Sequence, residues 1–583
     1  MKIIYTILLI VLLAVSFIRP QWKTTVEENN IISAAPGTQN YPSLALDTKG
    51  GFFVAWTDAR NSATGNDIYI QRFDSLGNTY FADNGIPVCI ADGNQQYPWA
   101  VTTTDSCVIV FWYDDRINFT NSTDLYAQKI DANGNLLWSD SGVVVSQYNT
   151  PTPGALLEFS VVPDDDGGAY VSWTRFYYGY RQLRAQRIDK DGNIMWDSTG
   201  AVLTDGAVDS RSPQMVRSQN GVSIVYRHSG GGYSIFFQMV DSTGNLKFPA
   251  PGKSIEVNGP QGATTVAVAD TANGEAVVIG WSVGGAGLDG NLLVQAVDTS
   301  GNKLWGTNHV VVNNVPGGHT SFKIVRSGTS SDYYLVWKDG RRINVAYDIY
   351  AQKLNNLGQP QWTPNGIKVS GTPYTYTSTS ISTNDNGVYV SWSEASNPQG
   401  PGIYAQRINP DSSFAWQNNS VRLTDQFVNA GIVTLNPDIN NGGAIVIFSY
   451  AGPPSGTSEN LYAKYIGANG VLGGVTSVED ETVIQPEKFH LSQNYPNPFN
   501  PSTKIRFSIP ASSLNPFSKG EGTLVTLKVY DVLGNEIATL VDEYKSAGSY
   551  EVDFDASKLS SGVYLYTLQA GTYVQSKEMI LLK

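Results

Sequence analysis

Few residues in this chain of 583 could do chemistry, and they are unevenly spread. Four His and two Cys leave almost nothing from which to build a His/Cys metal centre. His228, His309 and His319 stand in unrelated contexts, and no Gly-x-Ser-x-Gly elbow presents a nucleophile. The remaining candidates are aromatic and charged. Residues 175–181 read Arg175-Phe176-Tyr177-Tyr178-Gly179-Tyr180-Arg181, a run that occurs once. Tyr41 and Tyr97 each precede a Pro, and Trp-x-Asp-x-Arg supplies Asp58/Arg60, Asp114/Arg116 and Asp339/Arg341. Aromatic rings beside Arg and Asp, on loops held by a rigid scaffold, are a means of gripping sugars or peptides. A motif that recurs lacks the asymmetry of a site. Those acids and bases are therefore expected to pair structurally across their own hairpins, Arg60 with Asp67, Arg116 with Asp124 and Arg341 with Asp348. Asp164-Asp165-Asp166 suggests acid–base work or calcium, but before Gly-Gly it reads first as a solvated turn. Cys89 and Cys107 are candidates for a disulfide in an oxidising compartment. No cofactor constellation and no metal site is expected.

The elements that carry these residues repeat. Trp56, Trp112, Trp173, Tyr226, Trp281, Trp337, Trp392 and Phe448 recur every 53–61 residues. Gln71, Gln128, Gln186, Gln238, Gln295, Gln352 and Gln406, with Lys464 in eighth place, keep the same step. Two independent markers give eight repeats. Each repeat holds apolar runs of about six residues bounded by Gly and Asp, which are strand signals. Asp-x-x-Gly-Asn turns follow, as at 74–78, 131–135, 189–193 and 298–302. Pro42, Pro98 and Pro213 are expected at the first residue of inner strands, where a missing N–H spoils no ladder bond. Eight units of four short strands predict an eight-bladed β-propeller over residues 28–475. The segment Asn30-Ile31-Ile32-Ser33 resembles a fourth strand with no blade before it, and is expected to complete the eighth blade and close the ring.

Residues 1–19 carry a basic start and a 16-residue apolar run, short for a membrane span and fitting a secretory signal peptide. Residues 476–486 are an acidic linker. A net charge of −13 with no basic stripe argues against a nucleic-acid partner.

The last block, residues 487–583, breaks the rhythm and is recognisable. It contains Asn494-Tyr495-Pro496-Asn497-Pro498-Phe499-Asn500-Pro501, then Tyr530-Asp531 with Gly534, then Gly562 and Tyr564, then a closing strand ending at Lys583. These motifs resemble the C-terminal (type A) sorting domain of type IX secretion system cargo. Residues 511–522 depart from that pattern as an insertion. The resemblance implies an Ig-like β-sandwich read by an outer-membrane export machine. It also implies removal of the domain, with the cargo released or attached to surface lipopolysaccharide. The expected location is secreted or outer cell surface, reached via the periplasm. The Asp-x-x-Gly-x-x-x-Trp rhythm at Trp138, Trp196 and Trp305 is similar to the tryptophan-docking repeats of eight-bladed quinoprotein-like propellers. In those the Trp wedges between blades; their adjacent cysteines are absent here. The sialidase turn signature is also absent.

The fold class expected is thus all-β, an eight-bladed β-propeller followed by an Ig-like β-sandwich. Three functions fit the sequence. One is an exported binding module for a glycan or protein, using Tyr41, Tyr97 and the 175–181 run. The second is a hydrolase or lyase of extracellular polysaccharide. The third is a passive surface spacer.

Overall fold

In a computed structural model, the described residues are 22–473, 490–491, 494 and 497–583. Within these spans, residues 49, 62, 118–123, 147–157, 178, 230–232, 257–262, 271–274, 284–289, 329, 342–346, 371–379, 385–386, 395–396, 398, 417–419, 427–432, 436–442, 452–457, 510–522, 546–547 and 571–572 are excepted. The expected signal peptide and linker, Tyr178, Tyr495, Pro496 and the whole insertion lie outside them. Every regular element among the described residues is a β-strand. The chain divides into two compact units, Met1–Thr476 and Ser477–Lys583.

The first strand of the chain, β1 (Asn30–Ser33), is followed by β2 (Gln39–Leu46), β3 (Phe52–Asp58), β4 (Asp67–Phe73) and β5 (Ile86–Cys89). The last four form one antiparallel sheet in that order, and seven further four-stranded sheets repeat the plan. The middle strands are buried on both faces, as in the fully buried β3 and β4. Their unbroken Val, Ile, Phe and Trp runs therefore pack between two neighbouring sheets. Each innermost strand touches the next, and the strand of the last sheet returns to β2. Eight sheets closed in a ring make an eight-bladed β-propeller.

The closing strand is β1. It pairs antiparallel with Glu459–Ile466, with Asn30 opposite Ala463, and completes the eighth blade. Closure reaches further upstream than the repeat pattern suggests. Trp22 is 3% exposed in the core between blades eight and one. Lys464, in the Gln place, donates to the carbonyls of Thr25 and Glu28. In blade one, Gln71 holds its own chain's loop through the Ala82 carbonyl (2.9 Å) and the Phe81 N–H (3.0 Å). In blade eight that loop comes from the N-terminal segment, so the residue bridging to it differs.

One expectation changes in detail. Pro42 and Pro98 lie inside their strands, within register shifts between Asn40 and Ser43 and between Gln96 and Trp99. The preceding Tyr41 (φ 50°) and Tyr97 (φ 54°) are left-handed. The Pro is tolerated because a bulge, not the strand's first residue, leaves its nitrogen without a ladder partner.

The second unit has a three-stranded sheet, His490–Leu491, Ser502–Ile509 and Gly548–Asp555, and a four-stranded sheet built on Thr523–Tyr530 and Gly562–Ala570. Ile505, Phe507 and Phe554 from one sheet and Leu527, Val529, Tyr566 and Leu568 from the other share one core. The Asn494 side chain donates to Thr503 Oγ1 (3.0 Å), and the Asn497 side chain accepts the Ile580 N–H (2.8 Å). Phe499 is 2% exposed and bridges to the last strand. Asn500 and Pro501 lead into Ser502, and the Ala556 N–H donates to the Pro501 carbonyl (2.9 Å). The Tyr564 hydroxyl donates to the Ser560 carbonyl (2.9 Å), two residues before Gly562.

Candidate functional site

The recurring residues go to structure. Trp56 Nε1–H donates to Asp58 Oδ2 (2.7 Å), and Arg60 clamps the same carboxylate from Nε (2.9 Å) and an Nη (2.6 Å) while stacking on Tyr69 (3.7 Å). Asp114 and Asp339 repeat this with Trp112/Arg116 and Trp337/Arg341. The expected pairing of Arg60 with Asp67, Arg116 with Asp124 and Arg341 with Asp348 is corrected. Each Arg folds back two residues onto its own strand end, because the fork reaches both oxygens there. Asp58 is fully buried, so these acids are consumed by a paired, hydrogen-bonded network. Asp67 stands opposite in register, and burial pushes it up to about 6 against the Thr64 hydroxyl bond.

The Asp-x-x-Gly-Asn turns, and their counterparts at 355–359, 409–413 and 467–471, are consumed at blade junctions. The indole N–H of Trp22, Trp138, Trp196, Trp305, Trp362 and Trp416 donates to the second-residue carbonyl of the next blade's turn, at Ser75, Lys190, Ser242, Asn356, Pro410 and Ala468 (2.9–3.1 Å). The other two junctions use Arg72 to the Ala132 carbonyl (2.9 Å) and Lys253 to the Ser300 carbonyl (3.1 Å). A Cβ on Gly358 would lie 2.5 Å from the Trp305 ring, so only Gly lets the indole this close. The expected wedging of Trp138, Trp196 and Trp305 between blades is what the structure has. Trp22 was not legible as a sixth such Trp, since it precedes the first full repeat.

Asp164, Asp165 and Asp166 are equally engaged, with Arg187 (2.9 Å), Arg217 and Arg187 (2.8 Å) respectively. Among the described residues no group of three or more His, Cys, Asp or Glu could hold a metal ion. The expected disulfide does not form: Cys89 and Cys107 are free, buried thiols. Cys107 immediately precedes the strand Val108–Asp114, whereas Cys89 Sγ meets Arg116 (3.0 Å) beyond its other end. Seven residues of strand, on the order of 20 Å, separate the two, far beyond disulfide reach.

Two of the singled-out residues converge at one axial end of the inner strands. Tyr41 and Tyr97 lie 4.3 Å apart between ring centroids and are 45% and 38% exposed. The Tyr41 phenol is raised above its ordinary value, first by its hydrogen bond with Tyr97 and then by burial. Tyr97 packs edge-on to Tyr113 (6.2 Å), Tyr113 on Phe159 (4.9 Å) and Phe159 on Trp99 (6.1 Å), which is 47% exposed. A continuous aromatic strip thus crosses blades one to three. Trp99, Tyr113 and Phe159 were not singled out in the sequence. The Trp99 position is Ser43 in blade one and Gln214 in blade four by register, which is a departure from the repeat and the signal that could have found it.

The 175–181 run does not form a long loop. Its described strand residues extend the paired strands Ala169–Tyr177 and Tyr180–Ile188, with Phe176 opposite Arg181 and Tyr177 opposite Tyr180. Tyr180 is 45% exposed. Arg181 faces blade four and meets Asp209 (3.6 Å), which Arg211 also contacts. Arg175 lies on the blade-two side, opposite Gln182. Glu158, next to Phe159, accepts the Ser212 N–H.

Comparison with known proteins bears on the second unit. Residues 493–582 match the family described as Secretion system C-terminal sorting domain. The tail is a secretion sorting domain of the type IX kind, and it implies export to the cell surface or beyond through contact with that machinery. No curated protein matches the chain. Solved structures similar to the chain include a protein of unknown function from Dyadobacter fermentans, at 10% identity over 77% of this chain and 99% of that one, with a TM-score of 0.35. An ulvan lyase gives 10% over 78% and 96%, TM-score 0.37. The α-L-arabinofuranosidase of Fusarium graminearum with arabinobiose gives 10% over 64% and 92%, TM-score 0.35. The resemblance to quinoprotein-like propellers rests on the docking tryptophans alone.

Proposed function

We propose that this is an exported glycan-binding module whose contact surface is the aromatic strip at Tyr41, Tyr97 and Trp99. The observation that carries the reading is that strip. Three rings between 38% and 47% exposed stand together at one end of the inner strands, in a protein that buries its other repeat-marking aromatics. Large rings half in water with polar tips offer an apolar platform for the flat face of a sugar and hydrogen bonds for its hydroxyls. In this reading the tail is an Ig-like sandwich, removed after passage through the periplasm and the type IX machinery, and the propeller is released or joined to surface lipopolysaccharide.

A hydrolase or lyase is the second reading, supported by Glu158 at the edge of the strip. Glycoside hydrolysis by the common route needs two carboxyls about 5–9.5 Å apart. The next acid, Asp209, is ion-paired with Arg181 and Arg211. Screening the full chain on immobilised glycans, with polysaccharide turnover measured in parallel, tests both. Binding lost at least tenfold in Tyr97→Ala and Trp99→Ala, without turnover, is expected. Turnover abolished by Glu158→Gln would replace this reading with the enzyme, and glycan binding indifferent to both aromatic variants would remove it.

A further inference from the structure

The blade opposite the aromatic strip carries charge in place of rings. Contacts between innermost strands run once around the ring, so blades two and six, four steps apart in either direction, face each other across the axis. Register aligns Gln96, Tyr97, Trp99 and Tyr113 of blade two with Thr320, Ser321, Lys323 and Lys338 of blade six. Tyr97 and Ser321 share a left-handed backbone, φ 54° and 51°, so the two bulges match. Three rings of the strip thus become one hydroxyl and two ammonium groups across the axis. At the level of Trp99 and Lys323 the other blades carry Ser43, Ser160, Gln214, Ala267, Ser380 and Val433. Trp99 is the one aromatic residue at that level, and Lys323 the one charge. Phe322 and Ile324, on either side of Lys323, are 5% exposed in the core between blades five and six. Lys323 points the other way and is exposed. Surrounding protein nevertheless lowers its pKa by desolvation, with no charge contributing. A side chain wetted and desolvated at once stands in an enclosed, water-filled space, here the axial channel. Lys338 is half-buried, is lowered by the same cause, and lies over the Tyr347 ring (5.2 Å). Among the described residues neither lysine meets an acid, whereas Lys129, Lys353 and Lys368 are ion-paired with Asp105, Asp332 and Asp348. Glu158 and Asp209 lead into blades three and four and are engaged by Ser212, Arg181 and Arg211.

Two ammonium groups without a counter-ion, beside an enclosed space, concentrate positive potential there in a protein of net charge −13. We propose that Lys323 and Lys338 hold the carboxylate or sulfate of an acidic glycan whose sugar rings rest on Trp99 and Tyr97 across the axis. An ammonium is a compact point charge with three donors, so it takes either anion without demanding one geometry. Eight sheets packed about 10 Å apart enclose a ring wider than one sugar, so the ligand is an oligosaccharide. The ligand class rests on the glycan reading above; the lysine pair has its own test.

The full chain is titrated calorimetrically with hexasaccharides of neutral galactan, sulfated galactan and galacturonate. At least one acidic ligand is expected to bind about tenfold more tightly than neutral galactan, the worth of one charged hydrogen bond. Lys323→Gln is expected to remove most of that preference and the double variant Lys323→Gln/Lys338→Gln all of it. Neutral galactan affinity and Tm should not change in either, since neither lysine is ion-paired. Trp99→Ala should weaken all three ligands alike. The responsive ligand decides between sulfate and carboxylate. Neutral galactan bound as tightly as both acids, or an acid preference intact in the double variant, would overturn the lysine site and leave the aromatic strip standing. Acidic binding lost in the double variant but indifferent to Trp99→Ala would keep the lysines and overturn the strip. No binding of any of the three would overturn both.

Discussion

The same five-residue turn occurs in both units with opposite consequences. In blade three, Asp189 Oδ1 accepts the N–H groups of Asp191 (2.9 Å) and Asn193 (2.8 Å), and the Asn193 amide donates to Oδ2 (2.9 Å). In the sorting domain, Asp531 does the same with Leu533 (2.9 Å) and Asn535 (2.9 Å), and the Asn535 amide donates at 2.8 Å. Gly192 and Gly534 have φ of 87° and 84°. The surroundings differ. Trp138 covers Gly192 at 3.0 Å from a would-be Cβ, whereas a Cβ on Gly534 would meet nothing within 4 Å. Val532 and Leu533, beside it, are 67% and 84% exposed. Local sequence writes the turn; a residue some fifty positions away decides whether it becomes an interface. A recurring polar motif is therefore no evidence of a site until its neighbours are known.

The contrast can be broken by mutation. Trp138→Ala removes a docked indole and is expected to cost the propeller about 3–5 kcal/mol. Leu533→Ala on the exposed turn should stay within about 0.5 kcal/mol. Denaturant unfolding of the two variants measures both, and equal effects would dissolve the distinction. Gly534→Ala carries only the left-handed backbone penalty, about 1–2 kcal/mol. Gly192→Ala adds displacement of the indole and should cost at least twice as much by the same measurement.

Acids sharpen the comparison further. Asp189 is partly buried, but its bonds to Asn193 and Asp191 outweigh that and lower its pKa. Its contribution is present above the unfolded value and is lost as pH falls through the folded one. Asp67 runs the other way. Burial lifts it to about 6, so the folded state holds the extra proton, and stability falls as pH rises from about 4 to 6. Asp67→Asn is expected to raise Tm at pH 8, by up to about 2–3 kcal/mol of stability, with the gain vanishing below pH 4. Asp189→Asn should lower stability by about 1 kcal/mol at pH 8. Thermal melts across pH decide between the two signs. The smallest effect concerns the thiols. Both should react with a thiol reagent once the chain is unfolded, and reductant should leave Tm unchanged; a reductant-sensitive Tm would contradict the separation of Cys89 and Cys107.

Much of the fold was legible because its period is carried by residues whose roles are local. The buried Trp of the second strand and the turn-holding Gln announce eight blades, and Asn30–Ser33 reads as a strand without a blade. Trp22 was hidden because its function depends on a turn at Ser75 and on joining a blade whose other strands lie more than 400 residues away. The site was legible only in part. Tyr41 and Tyr97 were found by their repeat position. Trp99, Tyr113 and Phe159 join them through packing between blades, which no spacing along the chain encodes. Arg175 drew attention for the wrong neighbours. It stands among aromatics in sequence, but register places it where blade one has Asp58, with Arg184 where blade one has Tyr69.

The junction of β1 with Glu459–Ile466 also sets an order of events. Strands made first must wait for strands made last, and contacts this distant in sequence form slowly. Until residue 466 is available, the first blade has no eighth neighbour and one face of its sheet is open to water. The newly made chain is then an arc rather than a ring, with a hydrophobic flank that only its own far end can cover.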